Sequence, residues 1–149
     1  MNLAFFSPLP PEKSGIAVYS SELLPCLLKD YNIDIYTEGG ATADSLSGLP
    51  DALDAHDFVW KHAQNPYDLT IYQLGNAACH DYMWPYLTRY SGLVVLHDSQ
   101  LHHARARALI NDKRQDQYRR EFQFNHKNAD VTVAELGIQG ILGDLTYLW

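Results

Sequence analysis

Cysteine is scarce in this sequence. Cys26 and Cys79 are the only two among 149 residues, too few and too far apart for a zinc knuckle, a C-x-x-C redox pair or a disulfide framework. They predict two buried free thiols in a reducing compartment. Basic residues are short as well: eleven Lys and Arg against eighteen Asp and Glu give a formal charge of −7, which excludes a nucleic-acid binder held by overall positive charge. No segment reaches the roughly 18 apolar residues of a membrane-spanning helix. The start, Asn2-Leu3-Ala4-Phe5-Phe6, lacks the basic region and long apolar stretch of a signal peptide. Neither G-x-G-x-x-G nor G-K-[ST] occurs, so the dinucleotide fingerprint and the P-loop are both missing. There are no solenoid-period repeats and no low-complexity tracts. The expectation is a cytoplasmic chain, soluble or peripheral at the inner face of a membrane, with no cofactor and no metal.

What is present is enough apolar material, 46% of residues, to bury one core without staples. Leu3–Phe6 is an apolar run stopped by Ser7-Pro8-Leu9-Pro10-Pro11, which predicts a buried parallel strand and a loop. Ser14 is placed to cap a helix whose residues Ile16, Tyr19, Leu23, Leu24, Leu27 and Leu28 recur at three-and-four spacing, with Pro25 as a kink. Ile33–Tyr36 reads as a second strand, completing a unit of the length a right-handed crossover needs. Residues 38–56 read as loop with at most one short helix or strand, and no chemistry is expected there. Leu69–Leu74 is the next strand, followed by a helix from about Ala78 to Tyr90. Leu93–Leu96, the most hydrophobic strand, is expected to be the most buried, and it runs into His97-Asp98. From Leu101 onward the pattern is helical with a break near Asn125–Asp130, and Gly137, Gly140 and Gly143 form a small-residue stripe or a loosened helix. The end, Leu145 to Trp149, lacks helix-stop signals and reads as a truncation or a docking segment. The recurrence of strand, turn and helix predicts a doubly wound, mostly parallel α/β sheet with flanking helices, a helical C-terminal third, and function at the carboxyl ends of the strands.

Four groups of residues could carry chemistry. In the loop Pro10-Pro11-Glu12-Lys13-Ser14-Gly15-Ile16, Gly15 allows close backbone approach, and free amides at a helix start favour a phosphate or a sugar hydroxyl. A plain capped turn is the alternative. His97 and Asp98 at a strand's carboxyl end, with His102 and His103 beyond, suit contact with a sugar hydroxyl. Packing histidines and a zinc site are the alternatives, the latter restricted because His102 and His103 face different sides of a helix. Gly75 and Asn76 with His80 suit a ligand-facing turn or an ordinary one. Finally, seven basic residues between 105 and 127 against three acidic ones read either as a solvated helix face or as a patch for anionic lipid or a phosphorylated acceptor.

Taken in order, Ser7-Pro-Leu-Pro-Pro-Glu-Lys-Ser-Gly-Ile-Ala, Tyr72-Gln-Leu-Gly-Asn and Leu93-Val-Val-Leu-His-Asp resemble the group 1 (family 4) retaining glycosyltransferases of the GT-B type over most of the chain. The resemblance implies a Rossmann-like acceptor-side domain over residues 1–149. A nucleotide-sugar donor, a glycan or lipid-linked hydroxyl acceptor and a second, donor-binding domain would be its partners. It implies that Gly15, with Ser14 and Ile16, lies near the donor diphosphate and the acceptor. It further implies that His97 contacts the transferred sugar beside Asp98, and that Gly75, Asn76 and His80 form a subgroup motif of unassigned role. Val18 departs from the acidic or polar residue expected in Ser-Gly-Ile-Ala-x-Tyr. The five glutamates, Glu12, Glu22, Glu38, Glu121 and Glu135, include no pair eight positions apart, so the donor-binding half is expected to be missing and the chain inactive alone. A stand-alone module binding a nucleotide, a glycan or a partner protein is the second reading.

Overall fold

A computed structural model describes residues 1–41 and 48–141. The chain forms two compact units, Met1–His97 and Asp98–Trp149. The first holds five parallel strands, β1 (Asn2–Phe6), β2 (Asn32–Thr37), β3 (Leu53–Asp54), β4 (Leu69–Leu74) and β5 (Leu93–Leu96), in the order β3-β2-β1-β4-β5. This order matches the first five strands of the 3-2-1-4-5-6 Rossmann sheet, with its switch point between β1 and β4. β1 is paired on both sides, Phe5 opposite Ile35 and Ile71, Phe6 opposite Tyr36 and Tyr72. A strand buried on both faces cannot alternate polar and apolar residues, which is why Leu3–Phe6 is a continuous apolar run.

Side chains of alternate residues feed two cores. Helix α1 (Gly15–Leu27) covers one face, setting Leu24 against Leu3, Phe5, Ile33, Ile35 and Ile71. Its buried positions are Ala17, Ser20 and Leu24, a face rotated from the one expected, and Tyr19 stays exposed. Pro25 sits in the last turn, close to where the helix ends. The other face is aromatic: Phe6, Tyr36 and Tyr72 pack with Phe58 of α2 (Asp57–Gln64), with Met83 of a 3-10 helix (Ala78–Met83), and with Tyr86 of α3 (Trp84–Arg89). The single helix expected over 78–90 is thus divided. Pro85 lacks an amide hydrogen and is accommodated only in the first turn of a helix that restarts at Trp84. Helix α2, absent from the expected elements, is fastened by Lys61 Nζ to Asp34 Oδ2 at 2.8 Å. Tyr67 donates to the same carboxylate and bonds to Tyr36 Oη at 2.6 Å. Burial pushes the Tyr36 phenol up to about 12.

Two expectations about burial are corrected. β5 is the outermost strand on its side of the sheet, and Leu93 and Leu96 are 51% and 56% exposed. Among the described residues no strand pairs beyond it, so only Val94 and Val95 reach the two cores. Cys26 is exposed and Cys79 half-buried, both as free thiols; Cys26 lies on the side of α1 opposite Leu24.

The second unit packs α4 (His102–Asn111), α5 (Gln115–Asn125) and α6 (Val131–Ile138) around Leu109, Tyr118, Phe122 and Ala134. The break expected near 125–130 is present, with Asp130 capping α6 through Thr132 N at 2.9 Å. A second break at 112–114 was not anticipated. The glycine stripe is not continuous. Gly137 lies in α6 against the Tyr118 hydroxyl, whereas Gly140 has φ +69° and ends the helix. Its amide donates to Gly137 O and that of Ile141 to Leu136 O, the paired bonds of a Schellman cap. Gly143 and Leu145 to Trp149 lie outside the described residues. Arg105 pairs with both oxygens of Glu121 (2.6 and 3.0 Å) and Arg119 with both of Glu135 (2.6 and 3.0 Å). No helix among the described residues is long and apolar enough to cross a membrane.

Burial, with the neighbouring imidazoles of His103 and His126, lowers the pKa of His102, whose Nε2 lies 2.9 Å from Tyr118 Oη. The unfolded chain therefore binds a proton more readily than the folded one as pH falls below about 6.5. The stability that neutral His102 contributes is present above that value and is lost on acidification toward its folded pKa. Urea unfolding at about pH 7.5 and about pH 5.5 is expected to show a larger acid loss for the wild type than for His102→Gln. A second prediction concerns backbone approach. A Cβ on Gly92 would sit 2.2 Å from Thr70 O and 3.0 Å from the Tyr72 ring, whereas one on Gly15 meets nothing within 4 Å. Gly92→Ala should cost about 1–3 kcal/mol by urea unfolding, and Gly15→Ala should be neutral or stabilising by up to about 1 kcal/mol.

Candidate functional site

The carboxyl edge of the sheet collects the residues that could act on a ligand. β1 leaves the sheet at Ser7, fully buried, whose amide donates to Tyr36 O (3.2 Å) and whose Oγ bonds to Ser20 Oγ of α1 (2.7 Å). The loop is thus tied to both the sheet and the helix it enters. Ser14 caps α1 as expected, its Oγ accepting from Ile16 N at 3.2 Å, and the first helical bond runs from Val18 N to Ser14 O at 3.2 Å. The amides of Gly15 and Ala17 have no acceptor within the helix and stand at the positive end of its dipole. Gly15 is exposed and Ile16 half-buried, so the opening turn is accessible from its Gly15 side.

His97 is held from three directions. Its amide donates to Leu74 O at 3.0 Å, continuing the β4–β5 ladder by one residue. Its Nε2 lies 2.7 Å from Oε1 of Gln73, a side chain only 1% exposed, and its ring meets Tyr19 edge-on at 5.0 Å between centroids. With an amide oxygen as partner, Nε2 carries the proton of the neutral imidazole and Nδ1 presents a lone pair. Tyr19 is four residues after Gly15 and so on the same helical face. Tyr19 brings the helical face that begins at Gly15 up to the imidazole of His97.

Gln73 organises a second histidine through its backbone. His80 Nδ1 lies 2.9 Å from Gln73 O, and His80 is completely buried. The chain folds back through the 3-10 helix, and the imidazole fastens that helix to β4. Gly75, which follows β4, is buried and Asn76 half-buried. Asp98, half-buried, opens the second unit.

A cleft of about 280 Å³ opens beside the first loop, between the carboxyl ends of β1 and β2 and the 3-10 helix. Glu12, Thr37, Glu38, Cys79 and Tyr82 supply its polar atoms. Burial, then the charge of Glu12, pushes the Cys79 thiol up, so it stays protonated and is a poor nucleophile. Burial, then Glu38, pushes the Tyr82 phenol well up, and its hydroxyl donates to Tyr36 O at 3.1 Å. Residues 38–56 thus contribute to a cavity after all. The signal was a carboxylate at a strand's end followed by Gly39 and Gly40, whose φ values of +82° and +72° turn the chain away. Gln73 and Tyr19 were likewise missed as partners of His97, because a buried amide and an exposed helix tyrosine carry no signature in a lone sequence.

Two alternatives from the sequence meet the geometry differently. Among the described residues no group of three or more His, Cys, Asp or Glu side chains could hold a metal ion. In the basic stretch, Arg105 and Arg119 are paired with Glu121 and Glu135.

The Gln73 contact makes a prediction about protonation. Long-range nitrogen–proton NMR should find neutral His97 as the Nε2–H tautomer in the wild type. In Gln73→Leu it should find a mixture of tautomers, with His80 unchanged because its partner is a backbone carbonyl.

No protein-family model matches the chain, and neither a curated protein nor a solved structure does.

Proposed function

We propose that this chain is the acceptor-side half of a retaining GT-B glycosyltransferase, working with a donor-holding domain on a nucleotide-diphosphate sugar and a hydroxyl acceptor. The observation that carries the reading is the pairing of an open helix start with His97, through Tyr19, at the carboxyl edge of a β3-β2-β1-β4-β5 parallel sheet. That edge is where open α/β sheets bind ligands. The motif order stated above supports the same assignment.

In this reading the amide of Gly15, at the positive end of the α1 dipole, meets the diphosphate as it departs and its negative charge grows. Fixed dipoles stabilise such charge without reorganising. His97, its Nε2 proton held by Gln73, accepts a hydrogen bond at Nδ1 from a hydroxyl of the transferred sugar and fixes its orientation. No protein nucleophile is called for, in keeping with a Cys79 thiol held protonated. His80 drops out of the substrate contacts, and Ser14 acts by shaping the helix start. Contact with an anionic membrane through residues 105–127 belongs to the same proposal, with Arg120 and Lys127, exposed, as its cations.

Isothermal titration with UDP-glucose, UDP and uridine tests the reading. Expected is weak binding that requires the diphosphate, with the sugar-bearing ligand weakened about tenfold by His97→Ala and UDP itself little affected. Equal binding of uridine and UDP, or indifference of UDP-glucose to His97, would contradict the proposal.

A further inference from the structure

The amino ends of β4 and β5, at the opposite end of the strands from His97, border a cavity of about 320 Å³, a volume in the range of small-molecule sites. Two opposite charges stand in its lining: Asp68, which precedes β4, and Arg89, which ends α3. They do not neutralise one another. Among the described residues neither forms an ion pair, with the other or with any third side chain. A lone anion in this cavity would meet the field of Asp68, and a lone cation that of Arg89. The molecule complementary to both is one that carries both charges.

Each charge is held by a neighbour. The Arg89 guanidinium lies over the Tyr90 ring, 5.9 Å from its centroid, and Asp68 Oδ2 accepts the Asn2 amide at 2.7 Å. The rest of the lining supplies donors and ring surface. His62 meets the Tyr90 ring at 5.4 Å between centroids and 79°. Its Nδ1 accepts the Tyr67 amide at 3.3 Å, so the neutral imidazole carries its proton on Nε2 as a donor, and a protonated ring would add to the cationic side. Ser91 adds an exposed hydroxyl two residues beyond Arg89. The Tyr67 hydroxyl is bonded to Asp34 and Tyr36 and is engaged away from the cavity. A carboxylate matches the guanidinium fork with two parallel hydrogen bonds, and the rings of His62 and Tyr90 suit an apolar group beside it.

We propose that this cavity binds a free α-amino acid with an apolar side chain, its carboxylate on Arg89 and Ser91, its ammonium on Asp68 and its side chain against the rings of His62 and Tyr90. The inference goes beyond the glycosyltransferase reading and does not depend on it, since no residue of the His97 edge takes part.

The test uses leucine and its two half-molecules against the whole chain: 4-methylpentanoate, which lacks the ammonium, and 3-methylbutylamine, which lacks the carboxylate. Chemical-shift perturbation is read at constant ionic strength and about pH 7, where leucine carries both charges. Expected is saturable leucine binding that shifts the amides of Asp68, Arg89 and Ser91 and the ring of His62, about tenfold tighter than either half-molecule. Arg89→Gln should bring leucine down to the affinity of 3-methylbutylamine. Asp68→Asn, which keeps an acceptor for the Asn2 amide, should bring it down to that of 4-methylpentanoate. Lys29→Gln, which removes an exposed cation outside the lining, should leave the preference for leucine unchanged. No saturable binding, a half-molecule that binds as tightly as leucine, a preference that survives Arg89→Gln or Asp68→Asn, or its loss in Lys29→Gln would each overturn the proposal. Because nucleotide sugars are absent from the assay, its failure leaves the His97 titration standing, and the reverse holds as well.

Discussion

Phe6 is the residue on which the first unit closes. Its ring lies 5.0–5.2 Å from those of Tyr36, Phe58, Tyr72 and Tyr86 and 6.5 Å from Tyr82. One side chain on the central strand thereby touches β2, α2, β4, the 3-10 helix and α3. Ring pairs at such separations contribute beyond the area they bury, and a fully buried Phe adds roughly 1.5–3 kcal/mol of its own. The constraint is also positional. Phe6 is the last residue of β1, so the same packing that builds the aromatic face fixes the point at which the chain leaves the sheet. Ser7 follows, bonded to β2 and to α1, and everything at the carboxyl edge is placed from there.

From that anchor the two candidate sites diverge. Moving along α1, the capped helix start and Tyr19 lead to His97, whose orientation is set by Gln73 one strand inward. Moving the other way, the proline-rich loop carries Glu12 to the rim of the acidic cleft opposite Glu38. Gln73 matters to both the fold and the chemistry, since its backbone carbonyl takes His80 and its side chain takes His97. The two histidines look alike in the sequence, each beyond a strand's carboxyl end. They differ because His80 lies on a helix that folds back under the sheet edge, whereas His97 extends an outer strand into solvent.

The α/β class, the parallel sheet, β1, β2, β4 and β5, and the Ser14 cap could all be read from local patterns, because apolar runs ended by proline or glycine and a serine before an apolar helix act within a few residues. Burial of β5 could not be read that way. Leu93–Leu96 is as apolar as a central strand, and only the sheet order, a property of the whole unit, puts it outermost. Helix α2 carries one fully buried side chain, Phe58, too little for a periodic signal. The cleft was hidden for the same reason: Glu12, Glu38 and Cys79 are distant in sequence and meet only through the crossover from β1 to β2 and the return through β4.

The account's central claim is that the α1 start and His97 form one ligand-binding edge. The measurement that tests it most directly is amide and imidazole chemical-shift mapping during titration with UDP-glucose. The account predicts that the amides of Gly15, Ile16 and Ala17 and the ring of His97 shift together along a single saturation curve. Shifts confined to other residues, or helix-start and His97 signals that follow different curves, would contradict it.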